Sequence, residues 1–295
     1  MKNIIYILIV GLLFTNVSFA QETETEVKKE TTVKKKKDKP VRSPWNSGKI
    51  MGGETSVVPS EGSLRFELAH HFGSMENGVS DLFGIYAPAA NVRMGLSYVI
   101  LKNLSVGAGV TRNRMTTDLN AKYTVFEQTR KNTMPVSVTL YGNIGIDGRN
   151  KSVYGTKYTF GDRLSYFSQL IVGRRFNKYI SAQAGGSFTH FNSMEEGKNH
   201  DQIAAHVSAK ARITPTLSFI AHSDIPLKIS SISQYSDFTV AKPNIQAGVE
   251  LITTTHAFHI YVSTANEILT QNAVMFNQNE FNTKGLRFGL ILTKL

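Results

Sequence analysis

From residue 63 onward, apolar and polar residues alternate in about twelve stretches with the period of two that marks β-strands. Residues 135–146 set Val136, Val138, Leu140, Gly142, Ile144 and Ile146 on one face and Ser137, Thr139, Tyr141, Asn143 and Gly145 on the other. Val92, Met94, Leu96, Tyr98 and Ile100 oppose Asn91, Arg93, Gly95 and Ser97 in the same way, and Leu286, Phe288, Leu290 and Leu292 oppose Arg287, Gly289, Ile291 and Thr293. The linkers alternate too. Tight polar steps at Lys102-Asn103, Lys131-Asn132-Thr133, Asn177-Lys178, Pro215-Thr216 and Thr253-Thr254-Thr255 take turns with long ones over 73–90, 112–120, 147–161, 192–200, 228–243 and 266–284. An up-and-down sheet places successive linkers at opposite ends, so unequal linkers predict two ends in unlike surroundings. The expected fold is all-β: an antiparallel up-and-down transmembrane β-barrel of about twelve strands, with short periplasmic turns and long outer loops.

Alternation alone does not say which face points out. Here the polar face is mostly Ser, Thr, Asn, Gln, Gly and Tyr, with few charges, which suits a crowded lumen better than a water-washed surface. The opposite face is weak in places (Ala182 and Ala184; Ala205, Ala209 and Ala211) and could not fill an apolar interior of this width. The apolar face is therefore expected to meet lipid. Phe72, Tyr98, Phe176, Tyr179, Phe188, Phe191, Tyr261 and Phe288 lie near strand ends, where aromatic girdles form.

Ahead of the strands, Lys2, the apolar run from Ile4 to Phe14, and Ser18 and Ala20 read as a secretory signal over 1–20. Residues 21–50 read as a disordered, basic periplasmic tether that includes Lys34-Lys35-Lys36-Lys37, and 51–295 as the barrel. The apolar run is too short to span a bilayer as a helix, which takes roughly twenty residues. With no cysteine, neither lipid attachment at an N-terminal Cys nor disulfides nor Cys-held metal is available. The net charge is +11, and the lysine run of the tether reads either as a solvated linker or as a contact with anionic cell wall or lipid head groups. For an exported chain, no nucleic-acid partner is expected.

Several segments carry a resemblance. They are 55–62 (TSVVPSEG), 71–84 (HFGSMENGVSDLFG), 90–93 (ANVR), 141–149 (YGNIGIDGR), 162–169 (DRLSYFSQ) and 255–262 (THAFHIYV). Together they resemble a Bacteroidota outer-membrane β-barrel family known as a domain of unknown function, of the DUF5777 type, over roughly residues 50–295. The resemblance implies a barrel in the cell outer membrane, and implies no activity, substrate or catalytic residues. The chain ends on Leu295 rather than on the terminal aromatic of typical assembly signals, so a somewhat different insertion signal is expected.

No catalytic motif emerges, and no cofactor or metal motif. Val106-Gly-Ala-Gly and Ala184-Gly-Gly lie in strands, not phosphate loops. His70-His71 and His256 with His259 point to opposite faces of a strand, so a metal could be held only across strands. Ser168 and His190 share the apolar parity of neighbouring strands, the arrangement a barrel-embedded hydrolase would need, but no third group completes them. Stronger is the charge set on the polar face: Arg65, Arg93, Lys122, Arg163, Arg175, Lys210, Arg212 and Arg287 against Glu67, Asp224 and Glu250. A lumen lined by one sign of charge concentrates the opposite ion; equally, these charges can pair with Glu67, Asp224, Glu250 and loop acids to hold a filled lumen together. Residues 78–88, with Leu82, Phe83, Ile85 and Tyr86, are a candidate plug or an exposed partner-binding loop. The expected function is thus a narrow channel or uptake barrel for small solutes, anions by preference, in contact with outer-membrane lipid. A non-transporting structural or partner-binding barrel is the alternative, and the embedded hydrolase is third.

Overall fold

The computed structural model describes residues 38–42, 44–88 and 90–295; the expected signal peptide and most of the expected tether lie outside the described residues. Two short strands, β1 (Lys49–Ile50) and β2 (Gly53–Glu54), form a hairpin. Twelve longer strands follow: β3 (Leu64–Ser74), β4 (Asn91–Leu101), β5 (Leu104–Thr111), β6 (Thr116–Phe126), β7 (Ser137–Ile146), β8 (Leu164–Arg175), β9 (Ile180–Phe191), β10 (Asp201–Arg212), β11 (Leu217–Leu227), β12 (Asn244–Ile252), β13 (His256–Ser263) and β14 (Arg287–Lys294). Each pairs antiparallel with its sequence neighbours, and β14 closes on β3 through pairs such as Leu292↔Leu68. Closure leaves no unpaired sheet edge, which a hydrocarbon solvent requires.

The faces lie as the alternation predicts. Met94, Leu96, Leu140, Ile144, Leu170 and Leu290 are exposed on the outer wall, and Asn91, Arg93, Thr139, Asn143 and Gln169 are buried inside. Two aromatics assigned to the girdle turn inward instead. Phe191 and Tyr261 have lumen parity, and both are buried there.

The ends are unequal, with one departure. At one end the linkers run 75–90, 147–163, 192–200, 228–243 and 264–286, and this is the loop end. Arg112–Met115, also at that end, is a four-residue connection and not the long one expected. Thr116 to Asn120 continue β6 in register with β5, beginning at Thr111↔Thr116. At the turn end, 127–136 is longer than a tight turn, and its Thr129 bridges Pro40 of the incoming N-terminal segment.

Two insertions fill the lumen. From the turn end, residues 44–58 enter as the β1–β2 hairpin, with Met51-Gly52 at its tip. From the loop end, the last long linker folds inward as helix α1 (Thr270–Phe276), with Gln271, Asn272, Ala273 and Val274 buried. The expected boundary between tether and barrel at residue 50 falls within this hairpin. Residues 78–88, read as either a plug or an exposed loop, do not plug the barrel: Val79, Leu82, Phe83, Ile85 and Tyr86 are exposed.

Candidate functional site: the barrel lumen

The hairpin is seated by shape, by apolar contact and by polar side chains of the wall. Trp45, Ile50 and Met51 form one buried cluster with Ala69, Ile220, Tyr261 and Ile291 of the wall and Ile268 of the loop-end linker. Around them, wall side chains stand in for the strand partners that this backbone lacks. Gln183 accepts from Ser56 N at 2.9 Å and donates to Glu54 O at 2.6 Å. Gln246 Oε1 accepts from Gly52 N at 3.3 Å, and His259 Nδ1 accepts from Met51 N at 3.3 Å. Thr139 Oγ1 donates to Ser56 O at 2.8 Å. These polar groups must be met once water is excluded. Close approach also needs two glycines. A Cβ on Gly173 of β8 would lie 1.9 Å from Ser56 Oγ, and one on Gly53 would lie 2.5 Å from His222 Cε1. Met51 at the tip takes φ +50°, a left-handed conformation that costs a non-glycine residue about 1–3 kcal/mol and persists only where the surroundings fix it. It is fully buried. At the tip the two insertions touch: Thr270 Oγ1 donates to Gly52 O at 3.1 Å. Gln271 Nε2 ties α1 to Ser165 Oγ at 2.9 Å.

Seven of the charges expected in the lumen are there. Arg93 lies between Glu67 (NH1–Oε1 2.7 Å) and Asp118, which it grips with two nitrogens at 3.0 and 2.8 Å. Lys122 Nζ reaches Glu54 at 3.0 Å and Gly48 O at 2.7 Å. Lys210 Nζ meets Glu250 at 2.5 Å, and Glu250 also takes His259 Nε2 at 3.3 Å and Asn46 Nδ2 at 3.0 Å. Arg65 NH1 donates to Ser47 O. Asp224 pairs with two histidines. The other four expected residues stand at the mouths. Arg163 ties down the loop end through Tyr158 Oη at 2.6 Å and the carbonyls of Asp147 and Arg149. Arg287 donates to Gly285 O at 2.9 Å at that same end. Arg175 and Arg212 are half-buried at the turn end, Arg175 donating to Arg42 O and Asn177 O.

Sequence reasoning missed Lys49, Glu54 and Asp118. Glu54 and Lys49 ride on the hairpin, where Lys49 Nζ lies 3.3 Å from both Glu54 and Glu67. Asp118 shares the parity of Lys122, a signal legible once β6 is extended back to Thr116. With these included, Lys49, Arg65, Arg93, Lys122 and Lys210 face Glu54, Glu67, Asp118, Asp224 and Glu250. The interior is balanced rather than cationic. Between hairpin and wall a cavity of about 50 Å³ remains, lined by Arg65, Glu67, Lys122 and Tyr141 among others, space for a few waters only.

Larger cavities lie at the two mouths. The one at the turn end measures about 330 Å³, beside Trp45, Arg65 and Gln128. The one at the loop end measures about 270 Å³, beside Arg114, Asp147, Arg149, Arg163 and Phe276. There burial raises the Asp147 carboxyl, but hydrogen bonds from the Arg149 side chain and backbone outweigh it and hold the acid below its ordinary range. Burial pushes Glu267, on the inward-folded linker, the other way. The Ser168–His190 pairing does not form. Ser168 faces outward, and both ring nitrogens of His190 are taken, by Asp201 Oδ1 at 2.6 Å and Asn192 Oδ1 at 3.0 Å.

A family model described as a membrane-bound β-barrel domain, DUF5777, matches residues 45–295. No curated protein gives a significant match. Among solved structures, the KdgM porin superposes with TM-score 0.46 at 9% identity, over 78% of this chain and 98% of its own. A COG4313 outer membrane channel from Pseudomonas putida F1 gives 0.49 at 10%, over 81% and 96%. The NanC porin gives 0.47 at 7%, over 79% and 99%.

Proposed function

The chain belongs to the DUF5777 family of membrane-bound β-barrels, and from that premise we propose that it is a gated channel of the outer membrane for small solutes, shut here by its own N-terminal hairpin. In this reading the turn end faces the periplasm and the loops face outward. The basic segment before residue 38 is the periplasmic tether, and residues 1–20 are the signal that exports the chain.

One observation carries the reading: the hairpin fills the lumen without joining its wall. Strand β1 pairs only with β2, and every polar tie to the barrel is made by a wall or hairpin side chain. Because the wall closes on itself independently, the hairpin can leave as a unit with the barrel ladder intact. Its departure also changes the charge. Arg65 loses Ser47 O, and Lys122 loses both Glu54 and Gly48 O. Glu67 loses Lys49, but it and Asp118 keep Arg93, and Glu250 keeps Lys210. The emptied wall is balanced, Arg65, Arg93, Lys122 and Lys210 against Glu67, Asp118, Asp224 and Glu250. Every acid, however, keeps a basic or imidazole partner while Arg65 and Lys122 keep none, so these two, with the arginines at the mouths, favour anions. Selectivity in this account belongs to Arg65 and Lys122, with Arg163, Arg175, Arg212 and Arg287 at the mouths, while Arg93 and Lys210 hold the wall together. The test is planar-bilayer conductance of the chain with and without residues 44–58. Deletion should raise conductance and give anion preference. A folded, hairpin-free barrel that carries no current removes the channel reading.

A second reading has an observation of its own. The apolar side chains of 78–88 stand exposed at the loop end, which supports a barrel that binds a partner there without transport. The same deletion separates the two, because partner binding through that loop needs no open lumen.

A further inference from the structure

We infer that His206, His222 and Asp224 form a metal site in the barrel wall for one divalent transition ion of the Zn²⁺ class. The β10–β11 register places His206 opposite Asp224 and Ser208 opposite His222, all on the lumen face. His206 Nδ1 lies 2.7 Å and His222 Nε2 lies 2.8 Å from the same carboxylate oxygen, Asp224 Oδ1. The three donor atoms lie within 4.8 Å of one another, all buried. The two imidazoles are nearly parallel, 12° apart. Zinc takes His nitrogen and carboxylate oxygen at about 2.0–2.2 Å, so the donors of a tetrahedral ion stand about 3.3 Å apart. Adjustments of about 1 Å bring this trio to that spacing, and three protein donors leave a fourth position for water.

Two further features point to a cation. The first is charge. Glu67, Asp118 and Glu250 each have a Lys or Arg against them, whereas among the described residues Asp224 has only imidazoles. A buried carboxylate needs a compensating charge, and a divalent ion supplies it. The second is the outer contacts. His206 Nε2 faces Ser187 Oγ at 2.7 Å, and His222 Nδ1 faces Ser208 Oγ at 2.9 Å. The ring nitrogen that faces Asp224 is placed to donate to the carboxylate, and the far nitrogen faces a serine hydroxyl. With a metal on the near nitrogen, the far nitrogen donates to that same serine. A hydroxyl serves either role, so both rings keep their aim, as outer partners of metal-bound histidines do. Asn244 Nδ2 holds the other carboxylate oxygen at 2.9 Å. Neither of the chain's similar pairs offers this. His190–Asp201 has an amide as its next neighbour, and His259–Glu250 already has Lys210.

The site does not depend on the hairpin being a gate. The experiment refolds the untagged full chain into detergent micelles with Co²⁺ as a visible stand-in for Zn²⁺, then desalts and counts ions. The wild type should retain one Co²⁺ per chain, with ligand-field absorption that Zn²⁺ abolishes. His206→Gln and His222→Gln, in which the amide can still bond Asp224, should lose that ion. Ser208→Ala should bind about tenfold more weakly at unchanged stoichiometry. His190→Gln should match the wild type. Folding of each variant is checked by heat-modifiable mobility on gels. A wild type that retains no ion overturns the inference, as does a folded His206→Gln variant that keeps it. Where the glutamine variants fail to fold, unchanged affinity in Ser208→Ala or loss in His190→Gln places the ion elsewhere and overturns it equally.

Discussion

Arg93 is buried in the lumen, 3% exposed, and ties together two acids of the wall, Glu67 on one side and Asp118 on the other. Removing one partner of a buried pair leaves the other charge uncompensated and costs about 3–5 kcal/mol. Arg93→Gln should therefore destabilise the barrel by about that amount in urea unfolding from liposomes, with Glu67 and Asp118 both left short. A loss below about 1 kcal/mol, the scale of an exposed pair, contradicts a wall-holding role. On the outer face, Leu290→Arg sets a charge against lipid and should cost about 2–4 kcal/mol by the same assay. A neutral outcome there means the faces are exchanged. Thr293→Arg on the opposite face of the strand should be costly too, since Thr293 is buried opposite Glu67 in a filled lumen.

Among the elements, the twelve barrel strands were legible and the hairpin was not. Strands of 8–12 residues repeat their alternation often enough to be read. Residues 44–58 offer two strands of only two residues each, set among Gly48, Gly52 and Gly53, and they are held by partners as distant in sequence as Gln183, Gln246 and His259. No local pattern encodes such a seat. Helix α1 was missed for the same reason, since seven residues carry little periodicity. The seat depends on Gly53, whose Cβ position His222 already occupies. Gly53→Leu should unseat the hairpin and leave the barrel folded. Limited proteolysis from the turn end should then cut within 44–58, where the wild type resists. Equal resistance in both means the hairpin is part of the wall's own stability.

For the whole molecule, the even strand count and the entry of the hairpin from the turn end put both described ends of the chain on one side. With that side periplasmic, a single cysteine at Lys151 should be labelled in intact cells and one at Lys102 should not. The reverse pattern inverts the barrel in the membrane. Fold class followed from alternation and linker inequality because these are properties of the chain itself. The filled lumen did not, because it arises from two distant segments meeting at Thr270 and Gly52.

In the proposed channel the hairpin closes the lumen, and Arg65 and Lys122 are what it covers. Reversal potentials across a salt gradient, measured on the folded barrel lacking residues 44–58, test it most directly. The account predicts conductance well above that of the intact chain, with anions preferred. That preference should fall in Arg65→Gln/Lys122→Gln and be strongest near 0.01 M salt, where the screening length reaches about 30 Å. No current through the folded, hairpin-free barrel, or a preference for cations, contradicts it.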